Sequence, residues 1–125
     1  MVRYFSLLLL FICTGCSRPI ADVSAADLST HYRDGKLGDE LYKGRIFTVC
    51  GVVQDVNSSW INPKDYICVV LHGSTSKDGV ACHFSPNAAS QATGLYIGEA
   101  VIIRGKCHGE IFKGIPNMYD CEIVR

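Results

Sequence analysis

From Arg45 to the C-terminus, the sequence pattern is strand-like, in short apolar or alternating runs that glycine or proline interrupts at short intervals. Side chains on an extended strand point to opposite faces in turn, so Phe47, Val49, Gly51 and Val53 share one face while Cys50 and Val52 take the other. That period predicts a first strand over Arg45–Val56, with Gly51 marking the sharp bend of a barrel corner. A loop over Asn57–Lys64 carries Trp60 and Pro63. A second strand follows at Tyr66–His72, apolar enough to be buried on both faces. Gly73–Gly79 reads as a polar turn and Val80–Phe84 as a third strand. A fourth is expected over Gly98–Gly105, and a fifth over Ile111–Val124, broken between Gly114 and Asn117.

Two helices punctuate this pattern. Ser24-Ala25-Ala26-Asp27 opens like a capping box: the Ser24 hydroxyl accepts from the Asp27 amide, and the acid sits at the positive end of the helix dipole. A helix over Ala25–Arg33 follows, with Leu28 and Tyr32 on one face and Asp34-Gly35 as its stop; a short turn is expected at Asp39–Tyr42. Ser85-Pro86 gives a second start, the serine capping free amides, for a short helix over Asn87–Ala92 that Gly94 ends. Three strands, a short helix and two more strands, on so few residues, are the order of an OB-fold. The expected class is therefore mainly β, a five-stranded Greek-key barrel with an N-terminal helix and a short helix between strands three and four. Closure removes the exposed strand edges.

The first fifteen residues do not belong to that barrel. One cation at Arg3, an apolar run over Leu7–Ile12 and the small residues before Cys16 look like a bacterial lipoprotein signal peptide. A transmembrane anchor is the competing reading, but Phe5–Cys13 is about half the ~20 apolar residues a span needs. Cys13 stands where a lipoprotein signal prefers leucine, so cleavage without lipid also stays open. Removing residues 1–15 leaves 110 of the 125, enough for one core, with 16–23 as a lipidated tether and 24–125 as the domain. Each buried acyl CH₂ contributes about 0.8 kcal/mol, so an acylated Cys16 holds the domain on a membrane. Ser17, where a retention signal would place Asp, points to the periplasmic face of the outer membrane.

Twelve Lys and Arg stand against twelve Asp and Glu, and no basic run exceeds a pair. Nucleic-acid binders cluster Lys and Arg to neutralise phosphates, so this balance argues against one. Of seven cysteines, Cys50, Cys68, Cys82, Cys107 and Cys121 fall in the domain, without the close pairs of a metal site. Export makes disulfides the expectation. Cys107 with Cys121 flanks a hairpin, and closing that loop of roughly 15 residues contributes about 3 kcal/mol in the chain-entropy model. Cys68 with Cys82 is the second expected pair.

Tyr42-Lys43-Gly44-Arg45, Val49-x-Gly51-x-Val53, Cys82-x-Phe84, Leu95-x-x-Gly98-x-x-Val101-x-x-Arg104-Gly105-x-Cys107-x-Gly109 and Asp120-Cys121 resemble the bacterial OB-fold family named for its likeness to tRNA anticodon-binding domains. The match spans about Leu28 to Val124, and the sequence departs from it by carrying Cys50 in the first strand. The resemblance implies the fold of small exported proteins and lipoproteins; the family's name records fold likeness rather than tRNA binding.

No nucleophile elbow, phosphate loop or His-x-x-x-His pair is present, so the reading is non-enzymatic, with no cofactor and no metal. His31 and His108 read as surface histidines, whereas His72 and His83, with Cys68 or Cys82, are the residues that could imitate a metal constellation. OB-folds bind on the face of strands two and three and the adjoining loops, which makes Trp60 and Tyr66 the ligand-binding candidates. Closing the end of the barrel core is their bland alternative. Tyr96, Tyr119, Phe112 and Phe47 read as core or rim packing. Two functions remain: a membrane-tethered binding module whose partner is an envelope protein or glycan, and an oligonucleotide- or tRNA-binding protein.

Overall fold

The computed structural model describes residues 21–35, 37–59 and 64–124. Strand β1 (Val23–Ser24) leads into helices α1 (Ala25–Arg33) and α2 (Leu37–Tyr42). Strands β2 (Ile46–Ser58), β3 (Ile67–His72) and β4 (Gly79–Phe84) follow, then a 3-10 turn (Pro86–Ala88) continued by α3 (Ala89–Thr93), and strands β5 (Ala100–Phe112) and β6 (Ile115–Ile123). Hydrogen-bonded neighbours run β1-β2-β3-β4-β6-β5, and β5 returns to β2. Five strands thus close into the OB-fold barrel, with β1 added outside the ring, parallel to β2.

The length of β2 makes closure possible, because its first half, Ile46–Val52, pairs with β5 while the stretch from Val53 to Ser58 pairs with β3. The ladder irregularity between the two lies at Val53/Asp55, not at Gly51. Gly51 serves another purpose: a Cβ there would stand 3.0 Å from Ala25 Cβ and 3.2 Å from Leu71 Cβ, so its bareness lets α1 reach the barrel.

Helix α1 has the predicted bounds and cap, with the Asp27 amide donating to Ser24 Oγ at 3.1 Å. Leu28 and Tyr32 are both buried in a core shared with Val53, Leu71, Phe84, Ile103 and Met118. Burying side chains of this size contributes about 1.5–3 kcal/mol each. A Cβ on Gly38 would meet the Tyr32 ring at 2.5 Å, so α2 can cover that ring only because the position is glycine. Arg33 donates to Asp78 at 2.8 Å and to Ser74 at 2.9 Å, fixing α1 where β4 begins. At the other end of the barrel, Gln91 of α3 accepts from the Ile123 amide at 2.7 Å.

Several expectations need correction. The fourth strand continues beyond Gly105 to Phe112, and the fifth begins at Ile115 and is unbroken, so the turn is only Lys113-Gly114. Pro116 fits inside β6 because the ladder is irregular on both sides of its pairing with Glu110. The Ser85 hydroxyl makes no capping bond. Tyr96 and Phe112 are exposed, which places them outside the core. Upstream, Asp22 pins the chain to β2, its carboxylate accepting from the Thr48 amide at 3.0 Å and hydroxyl at 3.1 Å.

Neither expected disulfide is formed. Cys107 registers opposite Met118, which leaves Cys121 three residues farther along β6, about 10 Å away at strand rise. Cys68 pairs with His83 and Cys82 with Val69, so those two thiols project to opposite faces of the sheet. Cys68, Cys82, Cys107 and Cys121 are all buried free thiols. Opposite Gly105, β6 carries one residue too many, Asp120, at φ 54°, and this bulge brings Cys121 Sγ to within 2.8 Å of where a Gly105 Cβ would be.

Candidate functional site

Alternation assigns each residue of the β3–β4 hairpin to the core or to the outer face. Val69, Leu71, Val80, Cys82 and Phe84 enter the core, so Cys68, Val70, Ala81 and His83 face outward. Beyond the irregularity in β2, Asp55 and Asn57 register with Val70 and Cys68, and on β6 Asn117 stands beside Ala81. These residues make one continuous outer surface, on the strands where OB-folds carry their ligands.

Part of this surface is closed. Ser59, His83 and Asn117 are 1%, 0% and 3% exposed, yet all three are polar. Burial without partners would cost each a few kcal/mol, and they meet that demand mutually. Ser59 Oγ lies 2.7 Å from His83 Nδ1, and Asn117 Oδ1 lies 3.0 Å from His83 Nε2. An amide oxygen only accepts, so Nε2 carries the proton and donates to Asn117, while Nδ1 accepts from the Ser59 hydroxyl. Burial is the main reason the imidazole sits below its ordinary pKa, with His108 acting in the same direction and the Asn117 bond opposing. Serine, histidine and an amide also make hydrolytic triads, but here Ser59 Oγ is shut away from solvent, and the trio works as a strut between the β2–β3 loop, β4 and β6.

An aromatic stack extends the strut to the surface. The Tyr119 ring lies 4.5 Å from His83, nearly parallel at 16°, and 4.5 Å from the exposed His108 at 35°. Burial, then the neighbouring Cys68 and Tyr66, push the Tyr119 hydroxyl above its ordinary value. Tyr66, half-buried, closes the base of the loop by accepting the Ser59 amide on its carbonyl at 3.3 Å. Trp60 lies outside the described residues. Tyr119, expected to be mere packing, is thus the ring that joins buried His83 to exposed His108.

Beside this stack is a cleft of about 240 Å³ lined by Gln54, Asp55, Asn57, Val70, Ser76, Lys77, Asp78, Gly79 and Ile115. Asp55 accepts from Asn57 Nδ2 at 2.6 Å, and Asn57 Oδ1 is buried with no hydrogen-bond partner among the described residues. Asp78 forms the floor. Burial alone would push its carboxyl up, but the Thr75 amide and the Ser74 and Thr75 hydroxyls, together with Arg33, hold it below the usual carboxylate range. With Asp78 engaged by Arg33, the Asp55 carboxylate and two amides beside a single lysine give a surface suited to donors on a neutral ligand, without the cluster of cations that phosphates require. Pockets that enclose a drug-sized molecule measure about 300–1,000 Å³, so this cleft holds one unit of a larger ligand.

His72 and His83 do not converge, since they occupy opposite ends of the β3–β4 ladder, against Gly79 and Cys68 respectively. Among the described residues, no group of three His, Cys, Asp or Glu side chains could hold a metal ion. His31 stacks on Tyr42 at 5.6 Å and bonds its hydroxyl at 2.7 Å, which ties α1 to α2.

The family model that matches this chain, tRNA_anti-like, covers residues 16–122. The chain belongs to the tRNA_anti-like family. A crystal structure similar to this tRNA_anti-like protein is that of a Klebsiella pneumoniae subsp. pneumoniae MGH 78578 lipoprotein, provisionally named as nucleic acid-binding. It aligns over 83% of this chain and 92% of its own, with TM-score 0.63 and 17% identity. OBody AM3L09, bound to hen egg-white lysozyme, aligns over 68% of this chain and 86% of its own, with TM-score 0.50 and 12% identity. At such identities the likeness is one of fold. No curated protein matches the chain. The tRNA_anti-like OB-fold is a binding fold rather than a known class of enzyme.

Proposed function

We propose that this tRNA_anti-like protein is a lipid-anchored, non-enzymatic binding module of the bacterial envelope. Held through Cys16 at the periplasmic face of the outer membrane, it engages an envelope protein or a cell-wall glycan with its β3–β4 face. The observation that carries the reading is the lining of the cleft: Asp55, Gln54 and Asn57 with Lys77 as its one lysine, on the outer surface that also carries the His83-Tyr119-His108 stack. Carboxylates and amides receive hydroxyl and amide donors, and aromatic faces pack sugar rings or side chains. The leader read from the sequence and the fold-related Klebsiella lipoprotein support the anchor. Tethering raises local concentration, so weak contacts suffice.

The alternative, oligonucleotide or tRNA binding, draws on the provisional name of the Klebsiella protein. Chemical-shift titration of the mature chain separates the two. A cell-wall glycan fragment or partner peptide should shift the amides of Asn57, Val70 and Lys77 with little salt dependence. Shifts produced instead by single-stranded DNA, lost steeply between about 50 and about 200 mM salt, would establish the alternative.

A further inference from the structure

We infer that the apolar face formed by Leu37, Leu41 and Ile46 lies against the lipid bilayer that anchors Cys16, an inference that rests on the lipid-anchor reading above. These side chains are 46%, 40% and 69% exposed, and of the other exposed large apolar residues, Val52, Tyr96, Ile97 and Phe112, none lines the groove beside Asp22 and Val23. Leu37 and Leu41 are four apart on α2 and share a face. Leu41 and Ile46 line, with Tyr42 and Phe47, a groove of about 290 Å³ whose wall is Asp22 and Val23.

Asp22 and Val23 decide the occupant. Asp22 is fixed to Thr48 by its backbone and its carboxylate, and Ala21 is buried. The five steps from Cys16 to Ala21 span at most about 18 Å when fully extended. An acylated Cys16 sunk in a membrane therefore holds the wall of this groove near the bilayer surface. The groove that the anchor holds nearest the lipid is thus one that carries Leu41 and Ile46. Exposed Lys43 and Arg45 flank the groove and suit anionic headgroups. The Asp39 carboxylate of α2 is turned toward β5, where a Cβ on Gly109 would stand 3.3 Å from its Oδ1.

The test uses the lipidated chain in vesicles of phosphatidylethanolamine and phosphatidylglycerol containing a spin-labelled lipid quencher. An environment-sensitive fluorophore is placed by Leu41→Cys, Ile46→Cys or, as the control outside the groove, Ser90→Cys on exposed α3; the barrel cysteines are buried and react little. Intact mass is read first, to score the anchor independently. An acyl increment with a blue shift and several-fold stronger quenching at positions 41 and 46 than at 90 is the expected result. An acyl increment with equal quenching at all three overturns the membrane face and leaves the anchor standing. Absence of the acyl increment overturns the anchor, and the membrane face with it.

Discussion

Replacing Asn117 with leucine tests whether the buried polar strut organises the candidate face. Leucine has a similar volume, so the packing of β6 is little altered, but the His83 Nε2–H loses its acceptor inside a site where His83 is 0% and Asn117 3% exposed. An orphaned buried donor costs about 1–3 kcal/mol. For a domain of this size, each kcal/mol lowers the melting temperature by about 4–8 °C, so the variant should melt about 4 to 24 °C below the parent. Thermal unfolding followed by circular dichroism at pH 8, where the imidazole is neutral, gives the single-variant cost. A double-mutant cycle with His83→Leu then isolates the pair, and the coupling should be about 0.5–3 kcal/mol. A melting temperature lowered by less than about 2 °C, or an additive cycle, would refute the reasoning that Asn117 satisfies His83.

The same histidine sets a pH response. Its folded pKa lies below the ordinary 6.5, so the unfolded chain binds a proton that the folded chain refuses. Its contribution is present above pH 6.5 and is lost as pH falls toward the folded value; denaturant midpoints should drop across that window, and His83→Gln should flatten the drop. Asp78→Asn removes the charge that Arg33, Ser74 and the Thr75 amide all address, and should cost about 1.5–3 kcal/mol by urea unfolding. Gly51→Ala forces a methyl to within 3.0 Å of Ala25 and 3.2 Å of Leu71, and should destabilise by about 1–3 kcal/mol, with hydrogen exchange faster in α1 than in the β3–β4 hairpin. Burial raises the Cys68 thiol to about 12, with Cys82 and Asp55 adding to it. Peptide mapping without reductant should therefore recover Cys68, Cys82, Cys107 and Cys121 unmodified after brief alkylation of the native protein, and alkylated after unfolding.

The barrel is legible in the sequence because its signals are local. Period-two alternation exposes the strands, and the serine cap with Leu28 and Tyr32 four apart gives α1 its correct ends. The hairpin of β5 and β6 is misread because Pro116 and Asn117 look like turn residues, while only the ladder irregularities around them show that a strand tolerates them. Register also undoes the disulfides, since one pair of cysteines ends on opposite faces and the other three residues out of step. Loop position alone places Tyr66 beside the candidate face. The sequence cannot connect Ser59, His83 and Asn117, because 24 and 34 residues separate each partner from His83 and nothing in the spacing joins them. Gln54, Asp55 and Lys77 are invisible for the same reason: which polar residues share a cleft depends on how three strands register.

The central claim is that this face of the barrel is where an envelope partner binds. A photo-crosslinking residue at Val70, in the cleft, and another at Ser90, on the opposite end of the barrel, can be compared in cells carrying the lipid-processed protein. The account predicts one dominant adduct from position 70, an envelope protein or glycan, and none from position 90. Equal adducts from both positions, or nucleic acid captured at position 70, would contradict it.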